Sequence, residues 1–158
     1  MKKLLWIIPA LVFMSCDISK TDNDDTQNEK IVCKVITVKN YNEVDSIFFD
    51  EEDIVWFNKE NLQLKLKNTP EIKEIQRFSK FKFYLGQDSI FTARLALDLM
   101  SSIVSDLVLH YNSYNGNIYL EDSYPNWIKD SVCIVNKDKR AANWKRFIDR
   151  LEKVDKIK

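Results

Sequence analysis

Apolar and polar residues alternate strictly in two short segments of this chain, and this alternation is the feature that most constrains its fold. Residues 62–67 read LQLKLK, and residues 81–85 read FKFYL. Successive side chains of a β-strand point to opposite faces, so each segment is predicted to be a strand with one apolar and one wet side. Strands of this kind are typical of antiparallel sheets with one solvated face.

Two hairpins are predicted from the turn residues between apolar segments. The first places residues 54–57 and 62–67 on either side of the four-residue loop 58–61. The second is centred on Asn115-Gly116, a strong turn signal. The two strands of the second hairpin are residues 107–111 and 118–121. The Val-, Ile- and Thr-rich residues 31–39 are predicted to form a further strand.

The clearest helix is predicted near the C-terminus. In residues 141–154, apolar residues recur at helical spacing and charged residues occupy the opposite side. The apolar stripe consists of Trp144, Phe147, Ile148, Leu151 and Val154. A short helix is predicted after Thr69, which can cap it, with Pro70 at its first position. Residues 131–135 are predicted to form one more short strand.

Residues 89–106 fit a helix, although part of the segment also fits a strand. Asp98 and the serines that follow it fall at spacings of three, one and three, which would form one polar stripe of a helix. A helix over 89–106 is therefore the first prediction. The alternative is that residues 90–97 form a strand that pairs with residues 81–85 across the turn at Gly86.

The composition supports a packed domain built from regular elements. Only two glycines and three prolines occur, whereas 45% of the residues are hydrophobic and 12% are aromatic. So few chain breakers favour helices and strands joined by Asn, Asp and Ser turns. The fold prediction is a single α+β domain over residues 31–158. It would consist of an antiparallel sheet of five to seven strands with two or three helices packed on one face.

The first sixteen residues predict export from the cytoplasm. Met1-Lys2-Lys3 is cationic, residues 4–14 carry no charge, and Ser15 and Cys16 follow. This order of charge, apolar run and small residue is typical of a secretory signal peptide. The apolar run is shorter than the roughly 20 residues that a membrane-spanning helix needs.

The end of this segment resembles the cleavage box of bacterial lipoproteins, which is usually Leu-small-small-Cys. Here it reads Phe13-Met14-Ser15-Cys16, so Ser15 matches while Phe13 and Met14 are bulkier than usual. The resemblance covers residues 1–16. It implies that residues 1–15 are a removed signal peptide and that acyl chains on Cys16 hold the protein at a membrane of the bacterial cell envelope. It implies nothing about the domain that follows.

Residues 16–30 are predicted to be a disordered acidic linker, because they contain too few apolar residues to bury. Five acidic residues stand here against two lysines: Asp17, Asp22, Asp24, Asp25 and Glu29 against Lys20 and Lys30. An acidic patch after the lipidated cysteine looks like the surface-export tag of Bacteroidetes lipoproteins, which would imply display on the outer surface. The alternative is a plain spacer below an outer-membrane anchor facing the periplasm.

Charge and motifs argue against several classes of partner and chemistry. The chain has 24 basic and 24 acidic residues, and residues 1–15 hold two lysines and no acid. The exported chain therefore carries 22 basic against 24 acidic residues, a formal charge of −2, which does not favour nucleic acid. No glycine-rich phosphate loop and no Gly-x-Ser-x-Gly turn is present. No cofactor and no metal site is predicted, since one histidine and distant cysteines give no ligand spacing.

The titratable candidates for catalysis are interpreted as ordinary residues. His110 is the single histidine, and its position on a predicted strand favours a half-buried or solvated role. Glu121, Asp122 and Asp130 could serve as paired carboxylates of a glycoside hydrolase, but an acid-rich chain offers many such pairs. They are interpreted as solvated surface acids.

Cys33 and Cys133 allow two interpretations. In an exported protein two cysteines can form a disulfide. Both lie inside apolar runs, so the alternative is a pair of reduced core cysteines that behave as small hydrophobic residues.

A recognition surface is predicted around the second hairpin and the segment after it. Tyr114, Tyr124 and Trp127 stand near turns and among several asparagines, a combination that suits adaptable recognition and stacking on sugars. On this hypothesis Tyr114 and Tyr124 are exposed and close together. The alternative is that Tyr119 and Trp127 belong to the core.

These observations lead to one preferred functional hypothesis and two alternatives. The preferred one is a lipid-anchored envelope protein whose domain is a non-enzymatic binding module for a protein or glycan partner. The alternatives are an immunity-type inhibitor of an exported toxin and a small envelope hydrolase. A concave pocket with converging polar groups would favour the enzyme, and a convex domain with an exposed aromatic patch would favour the binding module.

Overall fold

One mixed sheet and one long helix contain most of the residues that the structure, a computed structural model, describes. These residues are 29–39, 42–98 and 100–158. Among them are eight strands, which in chain order are β1 Ile31–Lys39, β2 Asn42–Asp50, β3 Ile54–Phe57, β4 Gln63–Leu66, β5 Lys80–Leu85, β6 Asp88–Leu97, β7 Val108–Tyr111 and β8 Ile118–Glu121. The described helices are α1 Ile72–Ile75 and α2 Ser131–Lys153.

The strand order shows how the sheet curves. It runs β2-β1-β5-β6-β7-β8-β4-β3. Every neighbouring pair is antiparallel except β6 and β7, which are parallel. The two outermost strands, β2 and β3, are consecutive in the chain and joined by the turn at 51–53. Since that short turn brings the two edges together, the sheet is nearly closed into a barrel.

This architecture corrects the predicted fold class. The sheet of the described residues has eight strands and is mixed, whereas an antiparallel sheet of five to seven strands was predicted. Helix α1 has only four residues, so α2 is the one helix of the described residues long enough to cover the sheet. The prediction of two or three helices packed on one face is therefore wrong.

The segment predicted first as a helix over 89–106 is mostly strand. β6 buries alternate residues, among them Phe91, Ala93 and Leu95. It pairs with β5 on one side, with Phe83 opposite Phe91, and with β7 on the other. Hydrogen bonds from the two neighbouring strands stabilise β6 as a strand. The serines whose spacing suggested a helix lie after it, in the irregular connection to β7. The alternative prediction, a strand over residues 90–97, is confirmed.

Both predicted hairpins are confirmed. β3 pairs with β4, and β7 pairs with β8 in a register that places His110 opposite Tyr119. The second turn depends on Gly116, whose φ of +71° lies in the left-handed region that glycine adopts without strain. The side chain of Asn112 supports the same turn by accepting bonds from the backbone N–H groups of Tyr114 and Asn115, at 3.1 and 3.2 Å.

The C-terminal helix is longer than predicted. α2 begins at Ser131, so the strand predicted over 131–135 is wrong and those residues form its first turns. The side chain of Asp130 accepts a 2.7 Å bond from the backbone N–H of Cys133 and caps the helix. This cap outweighs the strand propensity of the Val and Ile residues in the segment.

The core lies where α2 meets the sheet. Phe147 and Leu151 are fully buried, as predicted for the helix stripe, and Trp144 is partly buried beside them. The ring of Phe147 packs against Phe91 and Phe57 with centroid separations of 5.4 and 5.7 Å. Both pairs pack edge-on, which stabilises beyond area burial alone.

The two cysteines of the domain are separate buried thiols. Cys33 lies on β1, opposite Phe49 and Phe83, and burial raises its pKa well above the usual range. The Cys133 thiol on α2 donates to the carbonyl oxygen of Asp122 at 3.4 Å. The structure therefore contains the two reduced core cysteines rather than a disulfide.

The predicted signal peptide, Cys16 and the linker up to residue 28 lie outside the described residues. Glu29 and Lys30 are described and exposed. Neither described helix combines the length and the apolar character that a membrane crossing requires.

Candidate functional site

A pocket of about 710 Å³ opens beside the β7–β8 hairpin. The hairpin supplies His110, Tyr119 and Glu121 from one face of its strands. The other walls come from the loop before β4, the segment after β8 and the first turns of α2. This volume lies within the range of about 300–1,000 Å³ that is usual for small-molecule sites.

His110 lies between two carboxylates at the back of this pocket. Its Nε2 is 2.8 Å from Oδ1 of Asp98, and its Nδ1 is 3.1 Å from Oε2 of Glu121. All three side chains are largely buried: that of His110 is 14% exposed, that of Asp98 17% and that of Glu121 10%. A neutral imidazole has only one N–H, whereas the doubly protonated ring can donate to both ionised carboxylates.

The environment of His110 favours its charged form. Burial by itself lowers the pKa of His110, but the hydrogen bonds and negative charges of Glu121 and Asp98 outweigh burial. The net result is a pKa raised above the ordinary value of 6.5. In its charged form the ring of His110 links the end of β6 to β7 and β8.

Each carboxylate beside His110 has a second partner. Oδ2 of Asp98 accepts a 2.6 Å bond from the backbone N–H of Ser113. Oε1 of Glu121 accepts from Nδ2 of Asn126 at 3.2 Å. The network thus holds the hairpin and the segment after β8 in fixed positions around the pocket, which pre-organises its wall.

A second group of charges stands where the pocket meets α2. Asp122 accepts from Lys137 and from Arg140, each at 2.6 Å, and Arg140 also donates to Asp106 at 3.1 Å. Burial would raise the pKa of Asp122, but the hydrogen bonds from Lys137 and Arg140 outweigh burial and lower its pKa. Asp122 is therefore an ion-paired carboxylate and not an acid that holds a proton.

The pocket lining is balanced in charge. Its three carboxylates are matched by three cations, counting the imidazolium: Glu60, Glu121 and Asp122 against His110, Lys129 and Lys137. Three asparagines and a tyrosine add neutral donors and acceptors: Asn61, Asn112, Asn126 and Tyr119. Such a lining suits an uncharged ligand that both donates and accepts hydrogen bonds.

The three residues of the predicted recognition surface differ in exposure. Tyr114 is 85% exposed at the hairpin turn, and Trp127 is 74% exposed beside the pocket residues Asn126 and Ile128. Trp127 is thus not a core residue.

Tyr124 is buried, so its predicted exposure is wrong. Its backbone forms a bridge with Val104, with N···O distances of 2.8 and 2.9 Å. Its ring packs 5.1 Å from that of His110, in a small apolar cluster with Ala96 and Val108. A turn residue is buried here because the irregular connection after β6 returns to cover it.

The sequence analysis did not predict that Asp98, His110 and Glu121 form a cluster. One signal for part of it was available, because the Asn115-Gly116 turn fixes a hairpin register in which His110, Tyr119 and Glu121 share a face. Asp98 could not be added, since it reaches His110 only through the parallel pairing of β6 and β7.

Among residues 29–39, 42–98 and 100–158, no group of three His, Cys, Asp or Glu side chains is arranged to hold a metal ion. The protein-family models, the curated proteins and the solved structures contain no match to this chain.

Proposed function

We propose that this chain is a lipid-anchored cell-envelope protein whose domain is a non-enzymatic binding module for a neutral glycan. The observation that supports this function is the charge-balanced, asparagine-rich lining of the 710 Å³ pocket around Tyr119. Acyl chains on Cys16 would hold the domain at the membrane, and residues 17–30 would separate the two.

The pocket chemistry favours sugar hydroxyls over other polar groups. Each hydroxyl donates one hydrogen bond and accepts others, which matches neighbouring amides and carboxylates. The half-buried ring of Tyr119 offers an apolar face to the C–H side of a sugar. Trp127 is exposed and follows the lining residue Asn126 in the chain, so its ring offers a second surface for stacking.

The same contacts argue for binding rather than catalysis. Both ring nitrogens of His110 are engaged by carboxylates, so neither is free to take a proton from a substrate. Glycoside hydrolysis needs a carboxyl group with a raised pKa to act as the acid, whereas the pKa of Asp122 is lowered. Release of new reducing ends from a bound glycan would nevertheless identify a hydrolase.

The glycan-binding role can be tested with two neighbouring positions on α2. Ile134 lines the pocket and is 53% exposed, whereas Val135 is 49% exposed and does not line it. In calorimetric titrations of the full chain carrying Cys16→Ala, Ile134→Trp should weaken binding of neutral oligosaccharides at least about tenfold. Val135→Trp should leave the affinity within about twofold.

A panel of neutral and acidic oligosaccharides defines the specificity in the same titrations. Neutral members should bind more tightly than acidic ones, because the lining carries no surplus charge. If no neutral oligosaccharide binds at about 1 mM, the glycan role is wrong.

The membrane anchor is tested separately. Cys16→Ala should abolish incorporation of labelled palmitate and move the protein from the membrane fraction to the soluble fraction, or leave an uncleaved precursor. Acyl chains would be the anchor, and at least two hydrophobic signals are needed for stable attachment. Wild-type processing and fractionation of the Cys16→Ala protein would refute the lipoprotein hypothesis.

A further inference from the structure

A second pocket, of about 380 Å³, adjoins the glycan pocket. The two share three lining residues, Leu62, Asp122 and Lys137. The rest of the second pocket is formed by one side of α2, through Arg140, Ala141, Trp144, Lys145 and Ile148. Its floor combines Leu62 with the apolar side chains of α2, so it differs in character from the polar pocket beside it.

The cations around the second pocket all have carboxylate partners. Lys137 and Arg140 share Asp122, and Arg140 also pairs with Asp106. Lys145 pairs with Asp149 at 2.5 Å. Among the described residues, each cation that lines this pocket thus has a carboxylate partner, which weakens its attraction for the carboxylate of a fatty acid. Its apolar floor suits a hydrocarbon group that carries no charge.

Leu62 stands at the junction of the two pockets in a strained conformation. Its φ is 60°, in the left-handed region that a bulky residue rarely adopts. Flanking bonds hold it there: the side chain of Asn61 accepts from the N–H of Gln63 at 3.1 Å, and the carbonyl of Leu62 accepts from Leu120 at 2.9 Å. Strain of this kind persists where surrounding contacts over-determine it and often occurs at ligand sites.

From this arrangement we propose that the two pockets form one bipartite site for an amphiphile. The first pocket binds the neutral sugar, and the second binds an alkyl or acyl group attached to that sugar, with Leu62 beneath the junction. The ligand class is therefore a neutral glycolipid or an acylated saccharide. This inference rests on the proposed glycan-binding function and adds the apolar part of its ligand.

The length of the alkyl group on the ligand provides a direct test. Burying one methylene group improves affinity by about fourfold. In titrations of the full chain carrying Cys16→Ala, affinity should rise by about that factor per carbon from methyl to butyl to hexyl β-glucoside. Equal affinity for the methyl and hexyl compounds, or no binding of any of them, overturns the bipartite site.

Two adjacent alanines of α2 give a matched pair of variants. Both are exposed, but Ala141 lines the second pocket and Ala142 does not. Ala141→Phe should fill the pocket and remove the gain from the hexyl chain while leaving methyl glucoside affinity unchanged. Ala142→Phe should behave as the parent chain. If both variants keep the full gain, the alkyl group binds elsewhere and the proposal is wrong; thermal melting checks that both remain folded.

The outcomes of these titrations distinguish the bipartite site from the glycan-binding function on which it rests. If neutral oligosaccharides bind and a hexyl group adds nothing, the glycan module stands and the bipartite site falls. If hexyl glucoside binds while no oligosaccharide does, the glycan function itself falls. Flotation with phosphatidylcholine vesicles that contain a neutral glycolipid then identifies the source, since capture indicates a membrane lipid. Binding of soluble alkyl glucosides without vesicle capture indicates a soluble acylated saccharide.

Discussion

Two clusters on neighbouring strands of the same sheet differ in what holds them together. Beneath α2, rings from β3, β5 and β6 surround Phe147 at centroid distances from 5.4 to 6.1 Å, with no hydrogen bond among them. At the other side of β6, Asp98, His110 and Glu121 are joined by contacts of 2.8 and 3.1 Å. The first cluster depends on buried area, and the second depends on specific partners.

Because of this difference, the two clusters should respond differently to substitutions of their side chains. Apolar contacts are non-directional, so a ring replaced by another large apolar group keeps much of its stabilising effect. A buried charge stabilises only while its partners are present, and removal of one partner leaves the others desolvated and unpaired. The aromatic cluster should therefore tolerate substitutions that conserve volume, whereas the His110 cluster should tolerate only changes that neutralise all its members together.

The largest effect is expected in the aromatic cluster. Phe147→Ala should lower the free energy of unfolding by about 3–5 kcal/mol, measured by urea denaturation, because a fully buried ring is lost. Phe147→Leu should lose clearly less. Val132→Ala, at a position 56% exposed on the same helix, should stay within about 0.5 kcal/mol of the parent. A small effect of Phe147→Ala would mean that α2 is not packed on the sheet in solution.

A smaller loss is expected in the polar cluster. His110→Gln should cost about 2–3 kcal/mol, because Asp98 and Glu121 remain buried without their cation. Adding Asp98→Asn and Glu121→Gln to His110→Gln should recover part of that loss, since no buried charge remains. Urea denaturation of both variants tests this. If the triple variant is less stable than His110→Gln by the sum of the added single effects, the three residues are not coupled.

The pH dependence of stability distinguishes the two clusters further. The pKa of His110 is raised in the folded state, so its contribution is fully present below the ordinary value of 6.5 and is lost as pH rises through the raised pKa. The parent chain should therefore lose more stability than His110→Gln as the pH rises from about 6 to about 9. Phe147→Leu should keep the parent's pH slope. Parallel curves for the parent and His110→Gln would contradict an ionised His110.

The smallest effects on stability are expected at the exposed aromatic residues. Tyr114→Ser and Trp127→Ala should each change the free energy of unfolding by less than about 0.5 kcal/mol, since both side chains are mostly exposed. Trp127→Ala should weaken oligosaccharide binding, whereas Tyr114→Ser should not, because Trp127 lies between the two pocket residues Asn126 and Ile128 and Tyr114 lies at the tip of the hairpin turn. Equal binding losses would place the ligand across the hairpin turn instead.

Local patterns in the sequence were sufficient to predict several strands, one hairpin turn and the core side of the long helix. Alternation identified β4 and β5, and the turn residues around Gly116 identified the β7–β8 hairpin. The helical stripe identified Phe147 and Leu151 as core residues. These features depend on residues close in the chain, where side-chain period and turn chemistry act directly.

The remaining features depend on residues far apart in the chain. β6 is a strand because β5 and β7 both pair with it, and the spacing of its residues fits a helix as well. Tyr124 is buried because Val104 pairs with its backbone. Asp98 reaches His110 only because β6 and β7 run parallel, and Leu62 lies between two pockets only because α2 closes over it. The sequence by itself determined the period and the turns of its segments, while the tertiary structure decided which segments meet, because hydrogen bonds between distant strands carry no local signal.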